Sequence, residues 1–250
     1  MAKFKSLRFG HRGVRGKACE NTLAAFRLAK KEGFDGIEFD VQLSRDGKLF
    51  VFHDRKLERF GGGNNYACDL GMNDLKRIDV GKALGFKEGF IPTLDDVLED
   101  WKNGKIPKHL LLEIKRKGYF GGKLEDALAE KLIDFNLKNP RLKLFDYLIV
   151  ESFNILAVMK IGRMLHGVKV GLLISSESFF EKVAGIIGFR LIDVDYVFLP
   201  KDLVSEKYLK KFAGCDVGVY SLTSKSDYEK VRKLNLAILI ADDMAYAGGR

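Results

Sequence analysis

The chain has 250 residues, 46% of them apolar, enough for a sizeable core in one domain or two small ones. Its net charge of +9 comes from lysines and arginines interleaved with acids, which suits an anionic substrate; without a clustered basic stripe it argues against a nucleic-acid partner. Three cysteines without CxxC spacing, no apolar signal-peptide core and no ~20-residue apolar run predict a cytoplasmic protein without a disulfide framework, a zinc site or a transmembrane segment.

Phe4 to Gly10 reads as a first strand ending in Gly10-His11-Arg12-Gly13. Glycines on both sides of the His-Arg pair allow a sharp turn and close approach to a ligand, and Arg12 suits bidentate contact with a phosphate. Glu20-Asn21-Thr22 carries the capping residues of a helix that Gly33 closes. The next stretch, Gly36 to Asp54, alternates Ile37, Phe39 and Val41 with Glu38, Asp40 and Gln42. Period two predicts a strand with one apolar and one carboxylate-bearing face. If Asp46-Gly47 form a two-residue turn into a return strand, Leu49 to His53, then Asp40 sits opposite His53. Two carboxylates and a histidine would then meet at one spot, with oxygen ligands suited to Mg²⁺ or Ca²⁺. Taken alone, the strand also fits an ordinary solvent-facing edge with polar residues outward.

Residues 54–92 show no strong period and read as an insertion of loops and short helical turns tacked down by Leu70, Leu75 and Ile78. Thr93 and Asp96 make a capping-box pattern for a helix burying Leu94, Val97, Leu98 and Trp101. His109 to Lys115 is a further strand, with Glu113 and Lys115 at its end, where charges need partners. From there helices and strands alternate. Strands begin near Tyr147, Val168, Tyr196, Val217 and Ala237, with helices between them, one near Phe179 to Phe189.

Leaving out the hairpin return, eight strands alternate with helices. That predicts a closed (β/α)8 TIM barrel in a single domain of residues 1–250, with the small insertion after the second strand. Active sites of such barrels lie at the C-terminal strand ends, where His11, Glu38, Asp40, Glu113 and Tyr220 fall. His109, at a strand start, and His166, at a helix end, fall away from that rim.

His11-Arg12-Gly13, Glu20-Asn21-Thr22, Gly36 to Val41, Asp46-Gly47, His53-Asp54, Ile91 to Leu94 and Glu113-Ile114-Lys115 together resemble the glycerophosphodiester phosphodiesterase family, in order and spacing. The C-terminal half is similar more loosely, through Ser152-Phe153, Tyr220 to Thr223 and Ala241-Asp242. The resemblance implies hydrolysis of a small-molecule glycerophosphodiester to glycerol 3-phosphate and an alcohol. It implies a divalent cation (Mg²⁺ or Ca²⁺, or else Mn²⁺) held by Glu38, Asp40 and Glu113. It further implies His11 and His53 as acid and base, with Arg12 and Lys115 near the phosphate. Tyr220 stands where the family usually carries Trp, so we expect it against the glycerol or the leaving alcohol. Arg59-Phe60 and Ala241-Asp242 also depart from the usual pattern, which bears on the alcohol side. Two alternatives use the same residues: a phospholipase D-like enzyme that forms a cyclic phosphate, and a non-catalytic phosphate-ester-binding barrel.

Overall fold

The computed structural model describes residues 6–118, 120–175 and 192–248. Strands β1 (Leu7–Gly10), β2 (Gly36–Leu43) and β3 (Leu49–Val51) open the sheet. They are followed by β4 (His109–Ile114), β5 (Leu148–Ser152), β6 (Lys169–Leu173), β7 (Tyr196–Pro200), β8 (Asp216–Leu222) and β9 (Ile238–Ala241). All except β3 run parallel. β1 pairs with both β2 and β9, which closes the barrel, while β3 lies antiparallel on β2. This is the expected eight-stranded barrel. The helix expected near Phe179 to Phe189 lies outside the described residues, as does the start of the first strand at Phe4.

The strand sequences explain the two layers. On β4, Leu110, Leu112 and Ile114 join the core between barrel and helices, while Leu111 points into the barrel with Phe9, Ile149, Phe198, Ile238 and Ile240. Full burial of each such side chain contributes roughly 1.5–3 kcal/mol. Helices α1 (Leu23–Glu32) and α2 (Met72–Leu75) come first, then α3 (Val80–Ala83) and α4 (Leu94–Lys102). They are followed by α5 (Lys123–Lys138), α6 (Ile155–Met164), α7 (Glu206–Leu209) and α8 (Lys225–Val231). Thr22 caps α1 by accepting from the Ala25 N–H, and Gly33 ends it at φ 81. Thr93 and Asp96 form the expected capping box on α4. Trp101 is buried and donates to the Lys108 carbonyl, a core role. No helix among the described residues is long and apolar enough to cross a membrane.

The segment between β3 and α4 has its own small apolar cluster. Phe50, Phe52, Leu57, Met72, Leu75 and Ile91 form it, with Leu70 and Ile78 packed against them. The hairpin register differs from the expectation by one residue. Val41 pairs with Val51, Gln42 with Phe50 and Leu43 with Leu49, so Asp40 faces Phe52 and not His53. The cause is the turn. Arg45, Asp46 and Gly47 form a three-residue loop with Gly47 at φ 74, closed by Ser44 N–H donating to the Lys48 carbonyl. Asp46 is held by the Ser44 hydroxyl and the Met72 N–H, which ties the loop to the insertion.

Candidate active site

The site assembles at the C-terminal end of the barrel. β1 ends in a turn in which the Gly13 N–H donates to the Gly10 carbonyl. A Cβ on Gly10 would lie 2.1 Å from the Gly13 oxygen, so this turn requires glycine there. Arg12 sits at φ 49 and Asn21 at φ 57, both left-handed. That strain is offset by what it positions. The Arg12 N–H donates to Glu38 Oε2 at 2.9 Å, and Asn21 Nδ2 donates to Asp40 Oδ2 at 2.7 Å. Asn21 was legible in the sequence only as part of a helix start; here it orients a carboxylate.

Glu38 and Asp40 from β2 and Glu113 from β4 converge, with one oxygen of each within 4.8 Å of the others. All three are buried, which excludes the solvent-facing reading of β2. Lys115 lies 2.7 Å from Glu113 Oε1 and 3.4 Å from Asp40 Oδ1. The Arg12 guanidinium donates to Glu20 Oε1 at 3.0 Å and lies 3.4 Å from Asp40 Oδ2. Burial drives the Glu38 carboxyl well above the usual range, and the charge of Asp40 adds to it. Burial raises Glu113 to about 7 despite Lys115. Asp40 goes the other way: burial would raise it, but Lys115 and Arg12 outweigh that and hold it ionised.

This donor set fits a hard divalent cation. Three carboxylates crowd together out of water, and Asp40 Oδ1 is buried without a hydrogen bond. Lys115 stands 3.4 Å from that oxygen without a hydrogen bond; a divalent cation would balance the three carboxylates more fully, and oxygen ligands suit Mg²⁺, Ca²⁺ or Mn²⁺.

Each site histidine is held by an aspartate. His11 Nδ1 lies 2.6 Å from Asp242 Oδ1, and His53 Nδ1 lies 2.7 Å from Asp54 Oδ1. A carboxylate partner makes Nδ1 the protonated nitrogen and leaves Nε2 free. Burial lowers the His11 pKa below its usual value, although Asp242 pulls upward. Neither aspartate stood out as a histidine partner in the sequence. The His-Asp dipeptide at 53–54 was the one signal for Asp54, and Asp242 lies 231 residues from His11. His53 reaches the site although it is not paired with Asp40. The ladder stops at Val51, and the Gln42 side chain donates to the carbonyls of Phe52 and Asp54, bending the chain over the barrel mouth.

Arg59, from the insertion, joins the two halves. It donates to both oxygens of Asp54 at 2.6 and 3.1 Å and to Glu20 Oε1 at 2.7 Å. Glu20 thereby meets Arg12, Arg15 and Arg59. Tyr220 lies at the end of β8 with its ring edge-on to Phe153 at 6.1 Å, and its hydroxyl donates to the Ile174 carbonyl. A cavity of about 940 Å³ opens over this end of the barrel, bordered by His53, Glu113, Lys115, Phe153 and Tyr66. A second, of about 560 Å³, lies among Lys169, Asp195 and Asp216, at strand starts away from these residues. His109 also lies at a strand start, between Phe9 and Tyr147.

Comparison with known proteins agrees with this geometry. The model of the Glycerophosphoryl diester phosphodiesterase family matches residues 11–243. The chain belongs to this family. A glycerophosphodiester phosphodiesterase of Caldanaerobacter subterraneus is 33% identical over 171 residues, 68% of this chain and 67% of that protein. Another from Bacillus altitudinis is 31% identical over 204 residues, 81% of this chain and 70% of that one. Among solved structures, an Oleispira antarctica phosphodiesterase in complex with the product sn-glycerol-3-phosphate superposes with a TM-score of 0.77. Its identity is 25%, covering 94% of this chain and 92% of that one. The family match thus spans His11, Glu38, Asp40 and Glu113, and the Oleispira antarctica structure shares the barrel.

Proposed function

We propose that the protein hydrolyses glycerophosphodiesters to glycerol 3-phosphate and an alcohol, through a divalent cation and two histidines. The observation that carries this reading is the convergence of three buried carboxylates beside two histidines, each with Nδ1 held by an aspartate. The Oleispira antarctica structure, with its bound product, supports the choice of substrate class.

Glu38, Asp40 and Glu113 would hold the cation. Bound there, it supplies positive charge to the non-bridging phosphate oxygens. Arg12 and Lys115 add fixed positive charge at the same end of the barrel. His11, kept neutral by burial, accepts a proton at Nε2 from the attacking water as the new P–O bond forms. His53, oriented by Asp54, delivers a proton from Nε2 to the leaving alcohol oxygen as the old P–O bond breaks. Placing the two on opposite sides of the phosphorus suits in-line displacement. Phe153 borders the cavity and Tyr220 packs edge-on against it, and this aromatic pair would shape the side that takes the glycerol or the alcohol. We treat the barrel and its 54–92 insertion as one functional unit, because Arg59 bridges Glu20 and Asp54.

The test is release of glycerol 3-phosphate from a panel of glycerophosphodiesters, with and without a chelator, followed by phosphorus NMR. Linear glycerol 3-phosphate that appears only with the cation supports the reading. A cyclic phosphate as final product would replace hydrolysis by internal attack. No turnover of any diester by folded, cation-loaded protein would refute both.

A further inference from the structure

A fourth carboxylate lies at the same centre, and the three-ligand reading does not use it. Glu151 is on β5, in register with Glu113 on β4. It is 1% exposed, and its Oε2 accepts no hydrogen bond. Among the described residues, buried acids away from this centre have cationic partners. Asp100 meets Arg27 and Lys105, Glu20 meets three arginines, Asp227 meets Lys201, and Glu125 meets Arg116. Among the described residues, Glu151 is in no ion pair. It lies two residues after Ile149 on β5, on the face that Ile149 turns to the apolar barrel interior. The charges it feels most are those of Glu38 and Glu113, then Lys115 and Asp40. A buried carboxylate in that setting costs several kcal/mol unless a cation compensates it. The charge balance points the same way. Fully ionised, Glu38, Asp40, Glu113 and Glu151 would bring four negative charges against the two cations beside them, Arg12 and Lys115, and a divalent cation would close that gap.

We propose that Glu151 is a fourth acidic member of the cation centre, whose charge helps to hold the divalent cation and raises its affinity. This rests on the reading of Glu38, Asp40 and Glu113 as a cation site. The change Glu151→Gln keeps the size and removes the charge. Chelator-stripped parent and variant are titrated with Mg²⁺, Ca²⁺ and Mn²⁺ by calorimetry, and their melting temperatures are read with and without each cation. The variant should bind at least about tenfold more weakly, the usual effect of removing a group that supports a metal site. The stripped variant should melt no lower than the stripped parent, because a carboxylate that repels its neighbours has been neutralised. The rise in melting temperature on adding cation should shrink. If Glu151→Gln does not fold, Glu151→Asp and Glu151→Ser replace it: the first keeps the charge and should bind more tightly than the second. Equal affinity in parent and variant overturns the inference and leaves the three-carboxylate site standing. A parent that binds none of the three cations overturns both.

Discussion

Asp242→Asn separates the two histidine roles. Asp242 holds His11 Nδ1 at 2.6 Å, with both side chains largely shielded from water. Burial lowers the His11 pKa, and Asp242 is the strongest influence raising it. Asparagine keeps the shape but loses the charge. A charge-assisted hydrogen bond contributes roughly 1 kcal/mol or more beyond a neutral one. At about 1.4 kcal/mol per pKa unit, the His11 pKa should fall by about one further unit. If His11 is the base, it must be neutral to act, so kcat/KM rises with pH through its pKa. In the parent that rise is centred below the usual 6.5. In the variant it should move lower still, by about one unit. The plateau should also drop, because an amide can offer its NH₂ to Nδ1 and leave the proton on Nε2. A carboxylate-to-amide change beside a catalytic histidine has cost about 10⁴-fold in a serine protease; here a loss of roughly 10²–10⁴-fold is expected. The assay is a pH–rate profile of parent and variant on one glycerophosphodiester, with the cation saturating. An acid limb that stays in place or moves to higher pH would refute His11 as the base. Movement of the alkaline limb instead would make it the acid.

Chelation should abolish activity, and Mg²⁺, Mn²⁺ or Ca²⁺ should restore it; full activity in protein shown metal-free by elemental analysis would count against the cation. His11→Ala and His53→Ala should each lower kcat by at least about a hundredfold while the fold survives. A nitrophenyl diester needs little help to its leaving group, so it should rescue His53→Ala and not His11→Ala, and the opposite pattern would exchange the roles. Arg59→Ala removes contacts with Asp54 and Glu20 from a side chain 40% exposed. Discounted for solvent screening, the loss should be about 1–2 kcal/mol and a melting drop of a few degrees, with kcat falling as His53 loosens. A lower melting temperature with unchanged kcat would confine Arg59 to stability. Tyr220→Ala should reorder preferences across the diester panel without changing cation affinity, and an unchanged order would show that its ring does not touch substrate.

The barrel was legible because each strand states its two faces. Leu110, Leu112 and Ile114 alternate with Leu111 and Glu113, and the structure splits them between the outer and inner layers as the period requires. The carboxylate face of β2 was legible for the same reason. The hairpin was not, and its failure is instructive. Asp-Gly suggests a two-residue turn, but Asp46 is drawn away by Ser44 and the Met72 N–H, contacts that no local pattern reveals. A one-residue slip should send alternate side chains to the opposite face. Had the ladder continued, His53 would lie opposite Phe39 and face the helices. It does not, because the pairing ends at Val51 and Gln42 holds the next three residues in a bend. His53 therefore comes to border the same cavity as Glu113 through a side-chain clamp and not through strand pairing. Asp242 and Glu151 were hidden for a different reason. Each acquires its setting only through strand pairing, Asp242 against β1 from the far end of the chain as the barrel closes and Glu151 beside Glu113 as β5 joins β4. Residues whose setting depends on pairing between strands leave no local spacing to read, and that is why the carboxylates of β2 and β4 were visible strand by strand while Asp242 and Glu151 were not.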